Sequence, residues 1–129
     1  MPLVGELVLI VDDTEMNVRL ARDVLRFAGF RTLDAGTAGE GIALAAKHHP
    51  DLILMDIRLP DMDGTAALHL LKDDPATAGI PVVALTSFAM KGDRERFLAE
   101  GFDGYMEKPI SVRQFPEQVR SYCRAAEAP

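Results

Sequence analysis

Three aspartates, a threonine and a lysine stand where strands of this chain are expected to end. Asp12 and Asp13 close the apolar run Leu7-Val8-Leu9-Ile10-Val11, and Asp56 closes Leu52-Ile53-Leu54-Met55. Thr86 follows Val82-Val83-Ala84-Leu85, and Lys108 follows the short segment Gly104-Tyr105-Met106 after one intervening residue. Clustered carboxylates repel one another, so their ionised forms need a counter-charge. A hard divalent cation supplies it, and Mg²⁺ is typically held by one or two carboxylates together with waters and phosphate oxygens. A lysine adds a point positive charge, and a threonine adds a hydroxyl donor. The set suits a phosphoryl group: an attacking carboxylate, a metal, and cationic and hydroxyl donors for the equatorial oxygens. Aspartate is an established nucleophile in phosphoryl transfer. Asp56 is the candidate, because its strand is the most buried and the acid pair on the neighbouring strand faces it. Taken alone, Asp56 also reads as a polar strand terminator; the coincidence of five such residues is what favours chemistry.

That coincidence depends on the elements. Leu7–Val11 and Leu52–Met55 are apolar without alternation, as strands buried on both faces of a parallel sheet are. The first ends in acids, and Thr14 stands where it can cap the helix that follows. The apolar face expected for that helix uses Met16, Leu20, Val24 and Phe27, with Gly29 as the stop. Residues 31–35 read as a short strand, and Thr37-Ala38-Gly39-Glu40 as a capping box opening a helix to about Lys47. His48 and His49 at its end suit the helix dipole better than a metal. Ile57-Arg58-Leu59-Pro60-Asp61-Met62-Asp63-Gly64 is a loop. A helix over 65–72 faces Leu68 and Leu71 inward. A strand over 80–85, a helix over 93–100 stopped by Gly101, and a weak strand over 104–106 follow. A last helix carries Phe115, Val119, Tyr122 and Cys123, capped by Ser111 with Gln114. Pro116 lies inside that pattern and is expected to delay or bend the helix, and residues 125–129 are expected to fray.

Five strands alternating with five helices, joined by right-handed crossovers, give an α/β fold: a doubly wound five-stranded parallel sheet with helices on both faces. The three most apolar strands belong at its centre. In such a sheet ligands bind outside the carboxyl ends of the strands, the edge to which Asp12, Asp13, Asp56, Thr86 and Lys108 all fall.

Composition narrows the partners. At 129 residues the chain is expected to be one domain over 1–129, its core spanning about 7–123. The net charge of −6, with no basic run, argues against nucleic acid or an anionic membrane as the main partner. A single cysteine, Cys123, excludes an internal disulfide framework. Without a signal peptide or a bilayer-length apolar run, the chain is expected to be soluble and cytoplasmic.

The order Asp12-Asp13, Asp56, Thr86, Lys108-Pro109 resembles the receiver domain of two-component response regulators, over essentially the whole length from Val8 to about Cys123. The resemblance implies the flavodoxin-like receiver fold and a signalling protein rather than an enzyme, one that catalyses only its own phosphoryl transfer and slow self-dephosphorylation. It implies that Asp56 accepts a phosphoryl group from a phosphohistidine on a histidine kinase or histidine phosphotransferase. It implies Mg²⁺ as cofactor, ligated directly by Asp13 and Asp56 and by the Arg58 backbone carbonyl, with Asp12 acting mostly through water. Lys108 would pair with the phosphoryl oxygens, across a Lys108-Pro109 bond expected to be cis. Phe88-Ala89-Met90-Lys91-Gly92-Asp93 is similar to DivK-type single-domain receivers of cell-cycle signalling. Ser87 departs from the usual alanine but remains small, and Arg58 is a bulky residue two positions beyond the phosphoacceptor. Thr86 and Tyr105 occupy the positions of the family's switch pair, with Tyr105 expected to rotate inward on activation. Phe88, Met90, Lys91, Arg94 and Tyr105 are then expected to meet a downstream protein target.

Three other readings are open. A flavodoxin-like FMN carrier needs a Gly/Ser/Thr-rich phosphate loop after the first strand, where Asp12-Asp13-Thr14-Glu15 would repel phosphate. A haloacid-dehalogenase-type phosphatase wants a second acid two residues after its nucleophile, where this chain has Arg58. A docking domain that keeps the fold without being phosphorylated has no need of a complete acid pocket.

Overall fold

Alternation within each apolar run decides which layer a side chain enters. In the computed structural model, which describes residues 5–87, 90–108 and 110–127, the strands are β1 (Leu7–Val11), β2 (Arg31–Ala35), β3 (Leu52–Asp56), β4 (Val82–Thr86) and β5 (Gly104–Glu107). Between and after them run α1 (Glu15–Phe27), α2 (Ala38–His48), α3 (Gly64–Asp73), α4 (Asp93–Glu100) and α5 (Phe115–Glu127). The strands form one parallel sheet in the order β2-β1-β3-β4-β5. The most apolar strands are central, as their lack of polar alternation requires.

Leu9, Val11, Ile53, Met55, Val82 and Ala84 point to one face, where α2, α3 and α4 cover them with Ala45, Leu68, Leu71 and Phe97. Val8, Ile10, Leu52, Leu54, Val83 and Leu85 point to the other, against Val18, Ala21 and Leu25 of α1 and Phe115, Val119 and Cys123 of α5. Each fully buried Leu or Ile contributes about 1.5–3 kcal/mol over its exposed state. Two such layers are what hold the strand ends, and hence the acids, in register.

The expected face of α1 is corrected. Met16 and Phe27 are 81% and 96% exposed and Leu20 is also exposed; of the expected residues only Val24 packs, half-buried, against the core, whereas Val18, Ala21 and Leu25 are buried. Both sets recur at helical spacing; the smaller residues let α1 lie close against the sheet, so the larger ones are left facing solvent. Thr14 sits at the N-cap position without a side-chain cap; its N–H instead donates to Asp12 Oδ1 at 2.9 Å. At the other end Gly29 takes φ +100°, and the Phe30 N–H returns to the Leu25 carbonyl at 3.0 Å, a left-handed helix stop.

Thr37 caps α2 by accepting from the Glu40 N–H, but Glu40 reaches the Gly36 N–H rather than that of Thr37. Ile80 and Pro81 precede β4 rather than belong to it. Pro116 is tolerated because it falls in the first turn of α5, where its missing N–H has no intrahelical partner to lose. That helix continues to Glu127, into the stretch expected to fray. Among the described residues no helix is long and apolar enough to cross a membrane.

Candidate functional site

The carboxyl ends of β1, β3, β4 and β5 deliver the polar residues to one edge of the sheet. Asp56 is the last residue of β3 and Thr86 the last of β4, both buried; Asp12 lies just beyond β1, 3% exposed, followed by exposed Asp13. Carboxylate oxygens of Asp12, Asp13 and Asp56 lie within 4.8 Å of one another. Lys108, after β5, reaches across the sheet edge and donates from Nζ to Asp12 Oδ2 at 2.6 Å and to Asp56 Oδ2 at 3.1 Å. Its backbone is held by the Lys108 N–H donating to the Thr86 carbonyl at 2.8 Å. This ladder contact fixes the direction from which the lysine enters.

Asp56 is poised by opposing effects. Burial pushes its carboxyl above the ordinary aspartate value, against the Arg58 N–H and the Lys108 charge, and the Asp12 carboxylate pushes the same way as burial. Its other oxygen, Oδ1, accepts from the Arg58 N–H at 3.0 Å. The loop behind it is tight. A Cβ on Gly64 would stand 2.8 Å from the Asp56 carbonyl oxygen, so glycine is needed for that approach.

A cavity of about 190 Å³ opens beside these groups, lined by Asp13, Thr14, Asn17, Asp56, Arg58, Thr86, Ser87 and Lys108. The five residues singled out by type and spacing are thus together, with Asp12 joined through Lys108. Arg58 lines the same cavity. Asn17 was missed by sequence reasoning, although its place one helical turn after Thr14 was a usable signal. The donor set is all oxygen and acidic, and it already holds an ammonium group as counter-charge, so it fits a small hard divalent cation. Pro109 and Phe88 lie outside the described residues, so the expected cis bond and one expected partner residue are not among the structural observations.

Tyr105, on β5, is 8% exposed and stacks on Phe97 of α4 with ring centroids 5.9 Å apart and planes 19° from parallel. A cleft of about 610 Å³ lies on the adjoining α4–β5–α5 surface, with Met90, Lys91, Arg94 and Tyr105 in its lining.

Residues 8–120 match the model of the response regulator receiver domain family. The chain is 48% identical over 115 residues to the polar-differentiation response regulator DivK of Brucella ovis, covering 89% of this chain and 94% of that protein. Among solved structures it resembles a CheY-like response regulator receiver domain from Methanospirillum hungatei, with a TM-score of 0.85 and 31% identity over 95% of this chain and 97% of that one. It also resembles the receiver domain of sensor histidine kinase PA1611 from Pseudomonas aeruginosa, described with a magnesium ion coordinated in the active-site cleft. There the TM-score is 0.82 at 30% identity, over 97% of this chain and all 100% of that one.

Proposed function

Because the chain belongs to the response regulator receiver domain family, the phosphoacceptor signalling modules of two-component systems, we propose that Asp56 is its phosphoacceptor and that the whole chain works as one receiver unit in the cytoplasm. The observation that carries this is Lys108 held between Asp12 and Asp56 at the mouth of a cavity that Thr86 also lines.

An Asp56 carboxylate oxygen attacks phosphorus of a phosphohistidine on a histidine kinase or histidine phosphotransferase. The new O–P bond forms as the P–N bond breaks, and the imidazole keeps the electron pair. Lys108 turns from a carboxylate toward the phosphoryl oxygens, and Thr86 donates its hydroxyl to another. Asp13, Asp56 and the Arg58 carbonyl would hold Mg²⁺ directly, with Asp12 acting through water. The ion supplies neutralisation of the charge on the phosphoryl oxygens. Exposed Met16 and Leu20 on α1 offer the phosphodonor an apolar footing, since Leu20 borders the same recess as Asp12 and Lys108. Water then hydrolyses the acyl phosphate, breaking its P–O bond to return the Asp56 carboxylate and inorganic phosphate.

Output leaves through the α4–β5–α5 face to a downstream protein. Phosphate on Asp56 draws Thr86 toward the site, and Tyr105, stacked on Phe97 of α4, carries the change to this face. A face coupled in this way carries about 1–3 kcal/mol of partner affinity. Addition of a beryllofluoride phosphate mimic with Mg²⁺ is expected to shift the amide signals of Lys91, Arg94 and Tyr105 in the wild type. In Thr86→Ala the shifts should stay confined to the acid pocket. Equal shifts at Tyr105 in both proteins would exclude the Thr86–Tyr105 route.

A further inference from the structure

The loop that follows Asp56 is anchored at two places. At its base the Gly64 N–H donates to the Ile57 carbonyl at 2.8 Å, Arg58 and Asp63 form an antiparallel bridge, and Asp63 caps α3 through the Ala66 N–H. At its tip Asp61 leaves its own element altogether. Asp61 Oδ1 accepts from the Ala38 N–H and Oδ2 from the Gly39 N–H, both at 2.9 Å, at the first turn of α2.

The topology gives this contact its meaning. In the sheet β1 lies between β2 and β3. A bond from the loop after β3 to the helix after β2 therefore passes over the end of β1, where Asp12 and Asp13 emerge. The Asp12 N–H is itself tied to the Ala35 carbonyl of β2 at 3.0 Å. The loop that carries Arg58, a lining residue of the acid cavity three residues before Asp61, is thus linked to the β2–α2 connection, whose Ala35 and Gly36 flank Asp12 and Asp13.

We propose that Asp61 is a positioning residue for the pocket: its two-oxygen bond to the start of α2 holds the Arg58 peptide and the β1 acids at a fixed separation for the cation and phosphoryl group. The inference rests on the reading of Asp12, Asp13 and Asp56 as the Mg²⁺ pocket. The bond is charge-assisted on the Asp61 side and aligned with the α2 dipole, so both carboxylate oxygens are used. The same two N–H groups hold the Asp61 carboxyl below the usual aspartate range. Groups that hydrogen-bond a metal ligand directly cost roughly ten- to hundredfold in metal affinity when removed; Asp61 acts one step further out, through the loop, so an effect at about the lower end is expected.

Mg²⁺ affinity is measured by calorimetry or amide shifts in wild type, Asp61→Ala, Asp61→Asn and Thr37→Ala, alongside hydrogen exchange at Ala38 and Gly39. Asp61 is exposed and belongs to neither core layer, so its variants are expected to fold, which their melting curves check. Asp61→Ala is expected to weaken Mg²⁺ roughly tenfold and speed exchange at Ala38 and Gly39. Asp61→Asn, which keeps one acceptor oxygen, is expected to lose roughly two- to threefold. Thr37→Ala removes a cap of α2 without touching the link, and is expected to melt earlier while binding Mg²⁺ as the wild type does. Equal losses in Asp61→Asn and Asp61→Ala would assign the effect to bare charge and overturn the proposal. So would an Asp61→Ala affinity within about twofold of wild type, or a Thr37→Ala loss matching that of Asp61→Ala. A wild type that takes up no Mg²⁺ would instead overturn the metal reading itself, and this inference with it.

Discussion

Asp56→Asn is expected to abolish phosphorylation while making the metal-free protein more stable at neutral pH. The first effect is complete, because an amide oxygen is a poor nucleophile and no other acid stands at the end of the central strand. The second follows from burial, which raises the Asp56 pKa above its ordinary 3.8. The folded protein therefore binds that proton more tightly than the unfolded chain. Its contribution to stability is fully present below pH 3.8 and is lost as pH rises through the raised folded value. As pH rises the wild type must place a charge in this buried site, a cost the asparagine variant does not bear. A higher melting temperature is expected for Asp56→Asn in chelator, at roughly 4 °C per kcal/mol recovered. The gap should narrow on acidification and on adding Mg²⁺ to the wild type. Thermal melts across pH, with and without Mg²⁺, check both trends; a variant that melts lower at neutral pH would show that Asp56 is net stabilising as an anion.

Lys108→Ala should have the largest effect on stability of any substitution in the pocket. The lysine side chain is 9% exposed and its partners Asp12 and Asp56 are 2% and 10% exposed. Removing the cation leaves two carboxylates facing each other without it. Breaking a buried pair typically costs 3–5 kcal/mol, but here the pocket opens to water and Asp56 can take up a proton, so about 2–3 kcal/mol is expected. That is a drop of roughly 8–12 °C in the melting temperature. A divalent cation can replace the lost charge, so Mg²⁺ should stabilise Lys108→Ala more than it stabilises the wild type. Asp56 should remain chemically able to accept phosphate, but the α4–β5–α5 face should no longer respond. Melting curves with and without Mg²⁺ test the first two expectations; an Mg²⁺ increment no larger than in wild type would show that Lys108 and the metal do not share the same carboxylates.

The central strands were legible because β1, β3 and β4 are apolar on both faces, a pattern that few other elements produce in so short a run. Their ends placed Asp12, Asp56 and Thr86, and chain order placed the rest. The face of α1 was not legible. Two sets of residues recur at helical spacing there, and hydrophobicity favoured Met16, Leu20 and Phe27 over the smaller Val18 and Ala21 that the close-packed sheet accepts. The role of Asp61 was hidden for a different reason. Its partners are backbone N–H groups of Ala38 and Gly39, distant in sequence, and a bond to backbone leaves no trace in residue types. The inward packing of Tyr105 likewise depends on Phe97, one α4 residue whose burial its largely charged neighbours do not advertise.

The most direct test of the phosphoacceptor assignment is intact-mass and peptide analysis after incubation with a small acyl phosphate donor, in Mg²⁺ and in chelator. One phosphoryl group per chain is expected in Mg²⁺, located on the peptide containing Asp56, removed by mild base, and absent in chelator. A phosphoryl group on Asp12 or Asp13, uptake that is the same in chelator, or no uptake in Mg²⁺ would contradict it.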